Sequence, residues 1–281
     1  MSTRLLLDLP APAKLNLFLH VNGQRPDGYH LLQSVFMLID WCDTLDMEWR
    51  AGPGISREDA TGHALPTGDL VVRAALALQQ ATGCTLGAHI RLHKHIPMEA
   101  GMGGGSSDAA TCLLGLNRLW NLGLSRTDLA HIGLPLGADV PFFLHGHNAW
   151  VEGIGEQLQT IDLPAHRFLV LKPPEGVPTA RIFQSPNLAR DVPRATIEDF
   201  VANSCFDFGH NSLQPVAEAL CPSITTGLQW MRERGLNGRM TGSGSALFAL
   251  IKGADTPQDW PSGWTGRCCN NLNVHPLSGW C

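Results

Sequence analysis

The sequence has few charged residues and no long stretch of one chemical character. Only 16% of its 281 residues are Asp, Glu, Lys or Arg, and the net charge is −5. A surface that binds nucleic-acid phosphates needs a block of lysine and arginine, which is missing, so we expect no nucleic-acid partner. No apolar run reaches the roughly 18–20 residues that span a bilayer, so we expect no membrane partner.

Paired cysteine motifs are also missing. The eight cysteines are scattered and form no C-x-x-C pair. Such cysteines are typical of reduced thiols, so we expect a cytoplasmic protein. The length gives room for two domains. A change from regular patterns to a proline-rich stretch predicts a boundary near residue 155, which divides the chain into 1–155 and 156–281.

Hydrophobic patterns predict a mixture of strands and helices. The predicted strands cover residues 15–19, 30–40, 44–49, 87–93, 168–171 and 246–251. The predicted helices cover 69–82, 106–120, 125–134, 196–203, 212–220 and 223–234. Residues 51–68 are polar and rich in glycine, which indicates a connection without regular structure.

The most informative segment is a glycine-serine loop at residues 97–107 that leads into a predicted helix. Free backbone amides and the helix dipole favour an anion at such a helix start, and glycine lets a ligand approach the backbone. The loop lacks the lysine of a Walker motif, and it matches a dinucleotide fingerprint only in part. The alternative is a turn that merely caps the helix.

Lys14 and Asp139 are candidate chemical groups, each with a structural alternative. Lys14 lies beside an alternating strand, where a lysine is normally a solvated strand end. Asp139 stands among Gly-Ala and Val-Pro-Phe-Phe, so its partly buried carboxylate indicates either a helix cap or a catalytic role. Tyr29 and His30 follow a Pro-Asp-Gly turn, where they can stack on and hydrogen-bond to a planar ligand. A second small-residue turn spans residues 241–245, and an ordinary loop is its alternative.

Histidine clusters raise the question of a metal site. His89, His93 and His95 occur on or next to a predicted strand, and His145 and His147 form a second pair. Arg91 would share the face of the first cluster and repel a cation, and the cysteine or carboxylate partners of a zinc site are missing. We expect polar histidines rather than metal ligands.

Five segments together resemble one family, the GHMP small-molecule kinases. They are Pro12-Ala-Lys14-Leu-Asn16-Leu, Arg25-Pro-Asp27-Gly28-Tyr29-His30, the loop from Pro97 to Ala110, Gly137-Ala-Asp139-Val-Pro and Thr241-Gly-Ser-Gly-Ser. The resemblance implies an α/β fold of the α+β type with two domains and an active site in the cleft between them. It also implies an ATP-dependent kinase with Mg²⁺ on the phosphates, although the motifs identify no Mg²⁺ ligand.

The resemblance assigns a role to each matching residue. Lys14 and Asp139 are the implied catalytic pair, and Asn16, Tyr29, His30 and Phe183 are the implied substrate contacts. The implied ATP contacts are Lys94, Pro97, Gly101, Gly103, Gly104, Gly105, Ser106 and Ser107. The implied acceptor is a cytidine-diphosphate sugar alcohol, and homoserine or mevalonate is the alternative. A nucleotide-binding protein without turnover is a further alternative, and a monomer or weak homodimer is expected.

Three residues depart from the family pattern. Met102 stands where leucine is typical, which is a conservative apolar change. Glu99 stands where glycine or a neutral residue is usual, and an acid there weakens nucleotide binding unless its side chain points away from the phosphates. Asp69 stands where an asparagine near the adenine is common, so an adenine contact at this position is in doubt.

Overall fold

The fold is built on two long strands that come first in the chain. The computed structural model describes residues 4–62, 66–203, 205–253, 257 and 259–281. In it, β1 (Leu5–Gln24) and β2 (His30–Arg50) pair antiparallel with several bulges. Both extend well beyond the segments that alternation predicted. Pro10 and Pro12 fit inside β1 because this strand pairs only with β2 in the sheet and is bulged beside both prolines.

The remaining strands extend this pair into one mixed sheet. They are β3 (Ile55–Asp59), β4 (Gly87–His93), β5 (Ala149–Glu152), β6 (Gln157–Thr160), β7 (Arg167–Lys172), β8 (Arg239–Met240), β9 (Leu247–Ile251) and β10 (Thr265–Leu272). Seven strands follow one another in the order β3-β4-β2-β10-β7-β9-β8. In addition, β1 and β5 pair with β2, and β6 pairs with β5. The predicted strands at 87–93, 168–171 and 246–251 are confirmed. The expectation that residues 51–68 lack regular structure is wrong for β3, which pairs with β4 in parallel.

The helices occur in both halves of the chain. They are α1 (Leu70–Thr82), α2 (Gly104–Leu119), α3 (Arg126–Gly133), α4 (Val140–His145), α5 (Thr179–Phe183), α6 (Ile197–Ala202), α7 (Gln214–Leu220) and α8 (Pro222–Glu233). All six predicted helices are confirmed to within a few residues, whereas the short α4 and α5 were not predicted. Local signals set several ends: α1 stops at Gly83 in the left-handed conformation, and Ser125 forms a capping box with Asp128.

Buried side chains fix the position of α2, the helix that follows the glycine-serine loop. It packs against β1, β2, α1, α3 and α4. Leu113 on α2, Leu78 on α1, Phe142 on α4 and Leu45 on β2 belong to the same buried cluster. This packing holds the first turn of α2 in a defined place. All eight cysteines are free thiols, and among the described residues no helix is long and apolar enough to cross a membrane.

Candidate active site

A cleft of about 1220 Å³ contains the predicted site residues. Sites for one drug-sized ligand are usually about 300–1,000 Å³, so this cleft is larger than a typical site for a single small ligand. Residues that line it include Lys14, Asn16, Tyr29, His30, Lys94, Pro97, Gly101, Gly103, Gly104, Gly105, Ser106, Asp139 and Phe183. Ser107 is the exception, because this residue is fully buried in the first turn of the helix that follows the loop.

The glycine-serine loop presents backbone amides to this cleft. Gly103 is the N-cap of α2 with φ 71°, and as a glycine it has no side chain with which to cap this helix start. The helix begins at Gly104, two residues before the predicted position. Because the first amides of a helix have no intrahelical acceptor, those of Gly104, Gly105 and Ser106 are available at the cleft wall. The N-terminal dipole of α2 adds a positive potential there, which suits an anion.

The second small-residue turn packs directly on this loop. A Cβ added to Gly101 would lie 2.3 Å from the carbonyl oxygen of Thr241, so the two backbones meet where a side chain has no room. The amide of Ser245 donates to the carbonyl of Glu99 at 3.1 Å, and that of Ala246 donates to Ala100 at 3.1 Å. Residues 242–244 line the cleft. The turn enters β9 at Leu247, as an ordinary loop would, and it also lines the cleft beside the glycine-serine loop.

Lys14 and Asp139 meet at the centre of the cleft. Lys14 lies inside β1 and is only 3% exposed, so the alternative of a solvated strand end is wrong. Its Nζ is 3.5 Å from Oδ2 of Asp139, whose side chain is 29% exposed. Asp139 directly precedes α4, yet its side chain makes no capping hydrogen bond. Burial lowers the pKa of the Lys14 ammonium, and the Asp139 carboxylate opposes that shift.

Neighbouring side chains fix the direction of the Lys14 ammonium. It donates to Oδ1 of Asn16 at 2.5 Å and lies 4.5 Å from the centre of the Phe36 ring. The Asn16 amide group in turn donates to the Ser34 hydroxyl at 2.9 Å. Thr241 also belongs to this group, because its hydroxyl accepts a hydrogen bond from the backbone amide of Asn16 at 2.8 Å. The cation is therefore held from several sides and faces the Asp139 carboxylate.

Lys94 forms a buried ion cluster with two carboxylates. Its Nζ donates to Asp108 at 2.8 Å and also to Asp43. Burial alone would lower the pKa of Lys94, but the two carboxylates outweigh burial and raise it. Burial raises the pKa of Asp108 to about 8; Lys94 opposes this shift and Asp43 adds to it. Oδ1 of Asp108 has no hydrogen-bond partner within the described part of the chain.

The other end of the cleft carries aromatic rings. Tyr29 is 59% exposed at the β1–β2 turn, so its ring face is free to contact a ligand. The His30 and Phe183 rings lie 4.9 Å apart with an angle of 35° between their planes. Arg190, which the sequence analysis missed, also lines the cleft and donates from Nε to Nε2 of His30 at 3.0 Å. No motif signalled this arginine, because it lies in the irregular proline-rich stretch.

The two unusual acids, Glu99 and Asp69, already have places in the fold. Glu99 has φ 51°, and its carboxylate lies over Gly176, where an added Cβ would be 2.1 Å from Oε2. Its side chain thus reaches toward the 172–178 segment. Asp69 caps α1 by accepting the amide of Val72 at 3.0 Å and pairs with Arg57 at 2.9 Å. These partners give Asp69 a structural task beside the cleft.

The histidine clusters have local partners. His89 lies 3.4 Å from Glu58, and His93 lies 3.3 Å from Asp46. His95 lies beyond the end of β4. His145 contacts the hydroxyl of Thr160 at 2.8 Å. Within the described ranges no group of three or more His, Cys, Asp or Glu side chains could hold a metal ion.

Comparison with known proteins agrees with this fold. The family model for the GHMP kinases N terminal domain matches residues 69–147, and the model for GHMP kinases C terminal matches residues 195–259. The chain belongs to the GHMP kinases.

Within this family, the chain is similar to proteins of one name. It is 61% identical over 281 residues to the 4-diphosphocytidyl-2-C-methyl-D-erythritol kinase of Paracidovorax citrulli, covering 99% of this chain and 98% of the relative. A crystal structure of 4-(cytidine 5'-diphospho)-2C-methyl-D-erythritol kinase has 35% identity and a TM-score of 0.75, covering 89% of this chain and 90% of that one. A homoserine kinase from Cytophaga hutchinsonii shares the fold at 15% identity, with a TM-score of 0.69 and coverage of 98% and 96%.

Proposed function

We propose that this chain is an ATP-dependent kinase that phosphorylates the 2-hydroxyl of 4-diphosphocytidyl-2-C-methyl-D-erythritol, a step of the non-mevalonate route to isoprenoid precursors. One observation carries the proposal: the Lys14–Asp139 pair, 3.5 Å apart, lies in a cleft that also holds the amides of the glycine-serine loop and the His30–Phe183 ring pair. The name of the relative at 61% identity supports the same acceptor.

In the proposed mechanism Asp139 takes the proton from the acceptor hydroxyl. Its carboxylate is partly exposed in the cleft, 3.5 Å from the Lys14 ammonium, where a general base can meet an acceptor hydroxyl. The Lys14 ammonium also offsets the negative charge that grows between the attacking oxygen and the γ-phosphoryl group. Asn16 keeps that ammonium in place by accepting a hydrogen bond from it.

The glycine-serine loop is the proposed donor side of the cleft. The amides at Gly103–Ser106 bind the ATP phosphates, Pro97 and Gly101 shape the loop, and the buried Ser107 supports the first turn of α2 from below. The Lys94 ammonium lies at the same wall, where Asp43 and Asp108 hold it in place.

Mg²⁺ is part of the proposal because the oxygen donors of this wall fit it. Mg²⁺ keeps several waters and is usually bound by one or two carboxylates together with substrate phosphates. Within the described ranges Oδ1 of Asp108 has no hydrogen-bond partner, and Ser106 lines the same wall. These two residues would hold the ion, which would supply charge neutralisation on the phosphates.

The proposal extends to the organisation of the chain and its location. We propose the domain boundary near residue 155, because the two family models match 69–147 and 195–259 on either side of it. The eight free thiols favour a reducing cytoplasmic location.

The acceptor is tested by comparing alcohols in one assay. ADP release is measured with ATP, Mg²⁺ and either the diphosphocytidyl acceptor, homoserine or mevalonate. Because only the first carries a base for Tyr29, His30 and Phe183 to bind, we expect its kcat/KM to exceed the others by about 100-fold or more. Equal or better turnover of homoserine or mevalonate would overturn the proposed acceptor and favour another GHMP kinase activity. ATP binding without transfer to any of the three would favour a binding protein without turnover.

A further inference from the structure

Arg190 connects the two sides of the aromatic end of the cleft. Its Nε donates to Nε2 of His30, the first residue of β2, at 3.0 Å. Its other nitrogens donate to backbone carbonyls: to Phe183 and Ser185 at 3.0 Å each and to Leu188 at 2.9 Å. One guanidinium therefore ties His30 to the end of α5, where Phe183 lies.

This contact determines where the imidazole of His30 carries its proton. A guanidinium N–H can only donate, so Nε2 of His30 must accept and has no proton of its own. The ring is then neutral with its proton on Nδ1. Burial lowers the pKa of His30, and the charge of Arg190 lowers it further, which agrees with a neutral ring.

We propose that Arg190 is a positioning residue for acceptor binding: it holds His30 as the Nδ1–H tautomer beside Phe183, so that the cleft presents one fixed donor to an acceptor atom of the bound base. The inference rests on the proposed function for the identity of that base. A cytosine suits this arrangement, because its ring nitrogen and carbonyl oxygen both accept. Without Arg190 the imidazole can change tautomer and rotate, and the fixed donor is lost.

The kinetic test compares Arg190→Ala with Arg181→Ala, a matched change of an exposed arginine on α5. Losing one well-aligned hydrogen bond to the base corresponds to about tenfold in affinity. We therefore expect Arg190→Ala to raise KM for the cytidine acceptor about tenfold, with kcat and KM for ATP as in wild type. Arg181→Ala should match wild type in all three. An unchanged KM for the acceptor in Arg190→Ala would overturn the inference. So would a fall in kcat and a rise in KM for ATP as large as the rise in KM for the acceptor.

Two further measurements keep the inference independent of turnover and of the folding of the variant. Nitrogen NMR of the wild-type protein, with the His30 signals identified from His30→Gln, should show the proton on Nδ1; a proton on Nε2 would overturn the inference. The affinity for CDP alone, measured by calorimetry, should be about tenfold lower in Arg190→Ala than in wild type. If CDP binding and the tautomer behave as expected while the wild type transfers no phosphoryl group, the proposed function fails and the role of Arg190 stands.

Discussion

At the scale of single residues, the centre of the cleft is the buried ammonium of Lys14, 3% exposed, facing the partly exposed carboxylate of Asp139. Lys14 is a candidate from the sequence because it stands next to an alternating strand that is otherwise apolar or neutral. Asp139 was a candidate because apolar residues surround it. The distance between their charged atoms could not be predicted from the sequence, since 124 residues of chain lie between them. Arg190 was missed for the same reason: its partner His30 is distant in sequence.

The buried carboxylate of Asp108 gives a pH-dependent prediction. Its pKa is about 8 in the folded protein, against 3.8 for a free side chain. The folded state therefore binds more protons than the unfolded state between these values. The contribution of Asp108 to stability is complete below pH 3.8 and is lost as the pH rises to about 8. Since Asp108→Asn cannot titrate, we expect wild type to lose stability relative to this variant over that range, by up to about 1.4 kcal/mol per pH unit.

Denaturant unfolding of both proteins without ligands, at several pH values, measures this difference. Glu198→Gln is a suitable control, because it removes an exposed carboxylate and should leave the pH profile parallel to that of wild type. Parallel profiles for wild type and Asp108→Asn would contradict the assignment of a raised pKa to Asp108.

At the scale of elements, the contact between the two glycine-containing turns is the feature most sensitive to a single methyl group. Gly101 has φ 70°, and a Cβ there would meet the Thr241 carbonyl at 2.3 Å. We expect Gly101→Ala to lower the free energy of unfolding by about 2 kcal/mol, because both the backbone conformation and the contact are lost. For a chain of this size that corresponds to roughly 4–8 °C in Tm.

The matched control is Gly105→Ala, four residues further along the same segment. Its added Cβ would lie 3.4 Å from Leu70, and the position is helical. Because alanine favours a helix over glycine, Tm should stay the same or rise slightly. Thermal unfolding followed by circular dichroism compares the two variants. Equal Tm values for both would contradict the proposed role of the turn–turn contact.

Elements with a strong local pattern were predictable, and those defined by their partners were not. The helix α1 has a regular apolar face and a glycine stop, and its predicted range of 69–82 agrees with Leu70–Thr82. The strand β10 has no clear alternation, yet it pairs with β7 along its length and with β2 at one end. Its position depends on partners from distant parts of the chain, which a local pattern cannot reveal. The short α5, which carries Phe183, was missed for a similar reason.

At the scale of the whole molecule, the cleft is assembled from segments spread over most of the chain. Lys14 comes from β1, the glycine-serine loop amides from the start of α2, Asp139 from the residue before α4, and Phe183 from α5. The sheet positions these segments because β10 joins β2 of the first half to β7 of the second. The sequence motifs identified nearly all of these residues in isolation. Their convergence on one cleft is what the fold adds.

The central claim is that this cleft transfers a phosphoryl group with Asp139 as the base. The most direct measurement is the single-turnover rate of Asp139→Asn at saturating ATP, Mg²⁺ and diphosphocytidyl acceptor, compared with wild type. The shape of the cleft is kept and only the base is removed, so the rate should fall about 10²–10⁴-fold, with both ligands still bound as in wild type. A variant that binds both ligands and transfers phosphate at the wild-type rate would contradict the account.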